Sequence, residues 1–335
     1  MARRARKVLG NGTGRIGIYS LREYTSNVAE SDWIALASQA EWLTPGTYTW
    51  VCPSSVTSVS AVCVGAGGAG YSTWNYSAGG GGGLGWKNSI PVTPGQSYTV
   101  VVGASGRNNG GGNGWTGGVS YFLSAATVAG YGGTNTSAVG TGGGPNPNSS
   151  GGGWVGDGGG AGGSASYQGG GAGGYAGNGG GTNAAAGTNS GAGAGGQSYS
   201  STYGGAAGGG VGIYGLRTDY TAQPGIGFGA NAYSGTGQGA TSEAASTTSG
   251  YGGQGGSKRT GNSGVVTGRA GMQGENGQGQ GYYGSNCGGG FPGGGGGGSG
   301  TSSGGGNGAD GAVRIIWAGD NSGPRSFPST LTTDL

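Results

Sequence analysis

The chain has 335 residues, of which 98 are glycine, and its 14 basic and 11 acidic residues leave a formal net charge of +3. Charged residues make up only 7% of the chain, which excludes disorder driven by charge repulsion and leaves low-complexity composition as the one route to disorder. The sequence contains no histidine, so serine–histidine and cysteine–histidine nucleophile pairs are excluded. We therefore expect no enzyme activity, no cofactor and no bound metal.

Residues 1–30 are predicted to form a basic N-terminal anchoring arm. They include no apolar stretch of the kind found in a signal peptide, and no window of the chain approaches the ~18 apolar residues of a membrane span. A basic arm can bind nucleic acid, but the chain lacks the basic stripe with interleaved aromatics of single-strand binders. We favour anchoring to other subunits of a large assembly. The basic residues assigned to this role are Arg3, Arg4, Arg6, Lys7, Arg15 and Arg22.

Residues 31–43 carry the best helix signal of the sequence. Ser31 or Asp32 can cap the helix, and apolar residues recur behind the cap at helical spacing. A helix this short needs docking to be stable, and Trp33 and Trp42 are the expected docking groups towards a partner subunit. The alternative is a helix that packs on its own domain.

Residues 44–129 and 311–319 are predicted to form one antiparallel β unit. Tyr48, Trp50 and Cys52 alternate as in a half-buried strand, and further strand-like segments follow up to residue 128. The apolar segment 312–317 lies alone behind the glycine-rich region, so its partners must be the early strands. The two ends of the glycine-rich region are then held close together.

Residues 130–310 are predicted to form a glycine bundle with binding loops. Collagen is excluded because the chain has ten prolines and many glycine pairs, and calcium-binding glycine solenoids are excluded because their regular aspartate is missing. The remaining ordered choice is polyglycine II, an extended helix without internal hydrogen bonds whose N–H and C=O groups bond to neighbouring helices. The predicted fold class is mainly β plus polyglycine II. It combines a small β-sandwich-like unit (strands in 46–128, closed by 311–317), a large inserted glycine-helix bundle, the arm and short helix, and a C-terminal tail at 320–335.

Several sequence blocks frame residues 44–330. They are residues 45–50, 56–59, 62–68, 92–100, 102–103, 118–122 and 311–317. The blocks resemble the glycine-rich domains of bacteriophage tail-fibre proteins, and residues 325–330 resemble the ending of many cyanophage structural proteins. The interior is similar to the polyglycine II adhesins at the fibre tips of T-even-type phages, which present variable loops to host receptors. The resemblance implies host attachment. The chain departs from those adhesins in residues 1–43, which form a short basic segment where the adhesins have a larger fibre-binding domain.

Recognition is expected in the polar interruptions of the glycine region, because a glycine lattice offers little chemistry of its own. Tyrosine provides rigid amphipathic contact and arginine binds carboxylates through a planar fork, so both are favoured at binding hot spots. The alternative is that these tyrosines cap glycine helices or stack on each other. The candidate receptor-binding residues are Tyr214, Arg217, Asp219, Tyr220, Phe228, Tyr233, Lys258, Arg259, Tyr282 and Tyr283.

The leading functional hypothesis is a tail-fibre or tail-tip adhesin on the virion surface, made in the host cytoplasm. Its expected partners are other virion proteins at the N-terminal segment and a host surface glycan or outer-membrane protein at the loops, within a multi-subunit assembly and without direct nucleic acid contact. The second hypothesis is a capsid decoration or head-fibre protein held by the basic arm. A remote alternative is ice binding, for which regular threonine or alanine rows would be needed.

The acidic and cysteine residues leave two further alternatives open. Glu243 and Glu275 could form the carboxylate pair of a glycosidase, but acids in loops beside glycine and serine are usually only solvated. Cys52, Cys63 and Cys287 lack the spacing of a zinc site. They are interpreted as small apolar residues in strands, with a Cys52–Cys63 disulfide as the alternative in an oxidising compartment.

Overall fold

The computed structural model describes the chain in thirteen ranges. They are residues 39–70, 78–107, 116–135, 143–145, 147, 150–165, 169–181, 208–213, 258–260, 264–266, 289–296, 306–318 and 325–328. The regular elements in these ranges are strands, and none of the described residues lies in a helix. The strands are β1 (Gln39–Trp42), β2 (Gly46–Val51), β3 (Ser58–Val64), β4 (Leu84–Pro91), β5 (Ser97–Val102), β6 (Ser120–Phe122), β7 (Val128–Gly130), β8 (Trp154–Val155), β9 (Gly158–Gly160), β10 (Lys258–Thr260), β11 (Gly264–Val266) and β12 (Ala312–Ile316).

Ten of these strands form two antiparallel five-stranded sheets. The first sheet has the order β1-β12-β3-β4-β9, and the second has the order β2-β5-β6-β7-β8. Strands β10 and β11 pair with each other as a separate antiparallel ladder. The pairing of β12 with β3, from Ala312 opposite Val64 to Ile316 opposite Ser60, agrees with the expectation that the downstream strand joins the early ones.

Both sheets contribute to one apolar layer, which we call the inter-sheet core. Trp50 of the second sheet lies at its centre, with its ring 5.8 Å from that of Phe122 and 5.5 Å from that of Trp317. Contacts of this kind between large rings stabilise a core beyond the area that they bury. The members of the inter-sheet core are Trp50, Cys52, Val56, Val59, Ala61, Cys63, Ile90, Val92, Val100, Val102, Phe122, Val128, Val313, Ile315 and Trp317.

The opposite face of the first sheet is also buried, in a second cluster that we call the outer core. Strands β3 and β12 therefore have apolar neighbours on both faces, which explains why they form near-continuous apolar runs in the sequence. The members of the outer core are Val62, Val64, Leu84, Ala172, Tyr175, Val211, Ile213, Ala312, Ile316 and Phe327.

Glycine segments outside the strands are joined to each other by long-range backbone hydrogen bonds. Gly81 donates to the carbonyl of Gly163 (3.1 Å) and Gly82 donates to the carbonyl of Gly293 (2.7 Å). A Cβ atom added to Gly82 would collide with the carbonyl of Gly65, and one added to Gly81 would collide with that of Gly171. The absence of side chains at these positions is thus what allows the main chains to approach and to satisfy their polar groups.

The predicted glycine-helix bundle is wrong for the described part of the chain. Its regular structure is β, arranged in two antiparallel sheets, and the glycine run Gly158–Gly160 is itself a strand, β9, paired with β4. Lateral bonding between glycine backbones does occur, but it joins segments without regular secondary structure. A glycine segment can also bond its N–H and C=O groups to the free edge of a sheet, as Gly158–Gly160 does along β4. The apolar strands supply such edges, and pairing with them replaces the predicted helix.

The helix predicted at 31–43 is also wrong where it can be compared. Gln39–Trp42 is the edge strand β1, paired with β12, and residues 31–38 lie outside the described residues. Arg314 of β12 is only 1% exposed, and its Nε–H donates to Oε1 of Gln39 (3.1 Å). A buried guanidinium needs hydrogen-bond acceptors, and strand pairing brings Gln39 beside it. Tertiary pairing therefore overrides the local helical periodicity.

Candidate functional site

The sequence-predicted receptor-binding residues fall almost entirely outside the described residues. Lys258 and Arg259 lie on β10, where the backbone pairs them with Val266 and Val265 respectively. The candidates outside the described residues are Tyr214, Arg217, Asp219, Tyr220, Phe228, Tyr233, Tyr282 and Tyr283.

Of the residues assigned to virion anchoring, only Trp42 is described. It lies on β1, half-buried, and packs against the inter-sheet core with its ring 6.4 Å from that of Tyr48. Trp42 therefore contacts the domain to which it belongs. The other anchoring candidates are Arg3, Arg4, Arg6, Lys7, Arg15, Arg22 and Trp33, which lie outside the described residues.

The most informative feature for function is the base of the segment 214–288, which holds all ten candidates. The chain enters this segment from residues 208–213 and leaves it through residues 289–296. The N–H of Gly208 donates to the carbonyl of Gly295 (2.9 Å), so the two flanking stretches are bonded directly to each other. The segment is thus an insertion that starts and ends at neighbouring points; we call it the 214–288 insertion.

The entry side of the insertion is fixed to the outer core. Val211 and Ile213 are buried there, and the N–H of Val211 donates to the carbonyl of Pro292 (3.2 Å). The hydroxyl of Tyr175 donates to the carbonyl of Gly212 (3.0 Å). These contacts attach residues 211–213, at the entry to the insertion, to the sheet framework through both apolar packing and hydrogen bonds.

Lys87 and Asp157 form an ion pair within the described residues. The ammonium group of Lys87 donates to Asp157 (2.8 Å), and the backbone N–H of Asn88 donates to the second carboxylate oxygen (2.9 Å). The hydrogen bond from Lys87 is the main cause that holds the pKa of Asp157 below its usual value. Within the described ranges no three metal-ligating side chains come together. Glu243 and Glu275, the pair weighed for a glycosidase, lie outside these ranges.

The two described cysteines are buried free thiols without a disulfide between them. Burial raises the pKa of Cys52 and, far more strongly, that of Cys63, where a backbone hydrogen bond from Phe122 opposes the effect. The Cys52 thiol donates to the carbonyl of Val56 (3.1 Å). Both act as small apolar members of the inter-sheet core, and Cys287 lies outside the described residues.

Comparison with protein families gives a match to the family described as the glycine-rich domain, over residues 43–257. The chain belongs to this glycine-rich domain family. The match extends over the early strands of both sheets and reaches into the insertion. No curated protein matches the sequence. In the part of the glycine-rich domain protein that the structure describes, no helix has the length and apolar character needed to cross a bilayer.

The glycine-rich domain protein also carries a contact that the sequence did not predict, at its C-terminal tail. Residues 325–328 lie against the first sheet, where the Ser60 hydroxyl donates to the carbonyl of Arg325 (2.9 Å). Asn88 accepts from the N–H of Phe327 (2.8 Å) and donates to its carbonyl (2.7 Å). Phe327 is 2% exposed. Phe327 is the only aromatic residue in the tail 320–335, and this is a sequence signal that could have indicated the docking.

Proposed function

We propose that this protein of the glycine-rich domain family is a virion surface protein of a bacteriophage, acting as a tail-fibre or tail-tip adhesin that binds a host cell-surface receptor. In this proposal the two sheets and their glycine segments form the framework, and the 214–288 insertion carries the receptor-binding residues. A surface glycan or an outer-membrane protein is the expected receptor. The protein acts by binding and catalyses no reaction.

The observation that carries the proposal is the bonded base of the insertion. Gly208 and Gly295 are hydrogen-bonded, and Val211 and Ile213 are buried in the outer core. A long insertion anchored at both ends to a packed framework is a common way to display recognition residues, since the framework limits the freedom that binding must remove. The tyrosine and arginine residues of this insertion suit such recognition. The resemblance of the framing blocks to phage tail-fibre domains supplies the virion context.

Adsorption to host cells tests the proposal. Purified protein should bind host cells and block phage adsorption, and the triple variant Tyr214→Ala, Arg217→Ala, Tyr220→Ala should bind at least about 30-fold more weakly, the loss expected for one hot-spot residue. Circular dichroism and the unfolding midpoint should be unchanged in this variant. Full blocking by the triple variant would contradict the site assignment, and no adsorption by the wild-type protein would contradict the function.

A matched control comes from the exposed outer face of the second sheet. The triple variant Thr47→Ala, Thr49→Ala, Thr99→Ala also truncates three exposed side chains, but on the framework instead of the insertion. Host-cell binding should remain at the wild-type level. A loss equal to that of the insertion variant would place recognition on the framework.

The second candidate function is a capsid decoration or head-fibre protein. It is favoured by the concentration of six of the 14 basic residues in residues 1–30, because such an arm suits a negatively charged capsid surface. Immunogold labelling of intact virions separates the two functions: label at the tail tip supports the adhesin, and label over the head supports the decoration protein.

A further inference from the structure

The C-terminal segment 325–328 is held like a bound peptide. Both polar backbone atoms of Phe327 bond to the single side chain of Asn88, and the carbonyl of Arg325 accepts from Ser60. Ser60 is 265 positions from Arg325 in the sequence, and Asn88 is 239 positions from Phe327. An asparagine amide offers one acceptor and two donors, so it can satisfy an N–H and a C=O of one residue as a neighbouring strand would.

The two side chains that hold the segment meet at an irregularity of the first sheet. Val59 pairs with Ile90 and Ala61 with Lys87, so Ser60 on β3 faces two residues, Asn88 and Ser89, on β4. Such a bulge redirects side chains and is found beside functional sites. Ser89 has a φ of 52°, a left-handed conformation that is uncommon for residues other than glycine. Strain of this kind persists where the surrounding structure and its role require it.

The aromatic contact of the segment is also built by the framework. The ring of Phe327 stacks on that of Tyr175, with centroids 6.1 Å apart and planes inclined by 19°. Tyr175 is fixed independently of the segment, because its hydroxyl donates to Gly212 and its carbonyl accepts from Nε1 of Trp86 (2.7 Å). The position of Tyr175 therefore does not depend on Phe327.

We propose that the surface formed by Ser60, Asn88 and Tyr175 is a peptide-recognition site whose ligand is the Arg325–Pro328 segment, and that a second copy of this chain supplies the same segment in trans. The segment alternates like an extended peptide: Arg325 and Phe327 are buried, and Ser326 is exposed. Side chains at alternate positions that enter pockets while the main chain is hydrogen-bonded define a known mode of peptide binding.

The way in which the segment is attached allows a second copy of the chain to supply it. Within the described ranges, residues 325–328 are not a strand of either sheet, and the side chains of Ser60 and Asn88 bond to the backbone of Arg325 and Phe327. The same contacts can be made by a segment from another molecule, as in the exchange of identical elements between protomers. In one molecule the tether keeps the local concentration of the segment high, so exchange becomes visible when the resident segment is weakened. This inference is independent of the proposed host attachment.

The binding of an isolated peptide tests the site. A fluorescently labelled peptide of residues 322–331 is titrated into the full chain carrying Phe327→Ala, whose own segment lacks its aromatic anchor. We expect saturable binding of the peptide. Its affinity should fall at least about tenfold when Asn88→Ala is added to the chain, and equally when the peptide carries Phe327→Ala. A Ser326→Ala peptide is the matched control and should bind normally, because that side chain is exposed. The absence of binding, or equal binding by all peptides, overturns the site.

Mixing two full-length variants tests the second copy as the source. Asn88→Ala has an intact segment and a damaged site, whereas Phe327→Ala has an intact site and a damaged segment. We expect a 1:1 complex in the mixture by light scattering and no comparable complex for either variant alone. Peptide binding without a complex in the mixture overturns the exchange between copies.

A measurement on the wild-type chain serves if Phe327→Ala does not fold. Excess unlabelled peptide should displace the resident segment, and hydrogen exchange should then accelerate at Phe327 while it stays unchanged in β3. Unchanged exchange at Phe327 in saturating peptide overturns the proposal.

Discussion

Lys87 and Asp157 form an ion pair of 2.8 Å that joins β4 to the residue immediately before β9. The backbone N–H of Asn88 donates to the same carboxylate. The pair therefore fixes the outer edge of the first sheet, where the glycine strand Gly158–Gly160 has no side chains with which to hold its own position.

The substitution Asp157→Asn should lower the free energy of unfolding by up to about 1 kcal/mol at pH 7, the range of exposed pairs, since the two side chains are 35% and 40% exposed. Because the folded state holds the pKa of Asp157 below its usual value, this stabilisation is present above the pKa of the unfolded chain and is lost as the pH falls through the folded pKa. Denaturant unfolding at pH 7 and below pH 3 measures this. A difference between wild type and variant that is larger in acid than at pH 7 would contradict the pairing.

The close contacts between glycine backbones predict a steep penalty for a single methyl group. Gly82→Ala should destabilise the protein by about 3 kcal/mol, because its Cβ meets the main chain of Gly65, which cannot turn aside as a flexible side chain can. Gly143→Ala is the control, since a Cβ there would lie at an ordinary distance of 3.5 Å from Tyr131. Thermal unfolding of both variants decides the matter: equal midpoints would show that the glycine segments are not packed as described.

The sequence was sufficient to predict the strands with strong apolar patterns and the place of β12. The run Ala312–Ile316 was isolated in the sequence and therefore needed the early strands, with which it pairs. The edge strand β1 could not be predicted in the same way. Its local pattern favours a helix, whereas in the structure it pairs with β12 and Gln39 accepts a hydrogen bond from the buried Arg314. The described part of the glycine region was wrongly predicted as glycine helices, because the sequence does not show which sheet edges lie near a glycine segment in the fold.

The candidate site was predictable only in part, for a related reason. Tyrosine and arginine content marked the 214–288 insertion, but the bond between Gly208 and Gly295 that closes its base joins two glycines indistinguishable in sequence from their neighbours. The docking of Phe327 depends on Asn88, which a bulge redirects. A bulge is a property of two paired strands, so it leaves no signature in either strand alone.

The inter-sheet core should be the main source of stability among the described residues. Phe122→Ala should lower the free energy of unfolding by about 3–5 kcal/mol, since the ring is fully buried and lies 5.8 Å from that of Trp50. Val51→Ala provides the control, because Val51 is 52% exposed and should change stability by less than about 0.5 kcal/mol. Urea unfolding followed by tryptophan fluorescence measures both. A small effect of Phe122→Ala would mean that the two sheets do not share this core.

The buried thiols predict resistance to modification in the folded protein. In a Cys287→Ser variant, Cys52 and Cys63 should react with a thiol reagent at pH 8 only as fast as the protein opens, because both are buried and burial raises their pKa. A raised folded pKa favours the folded state below the pKa of the unfolded thiol, near 8.5, and this contribution is lost as the pH rises above it. Unfolding should therefore become easier, and labelling faster, above about pH 9. Rapid labelling at pH 8 under conditions where circular dichroism shows a folded protein would contradict the burial of these thiols in the inter-sheet core.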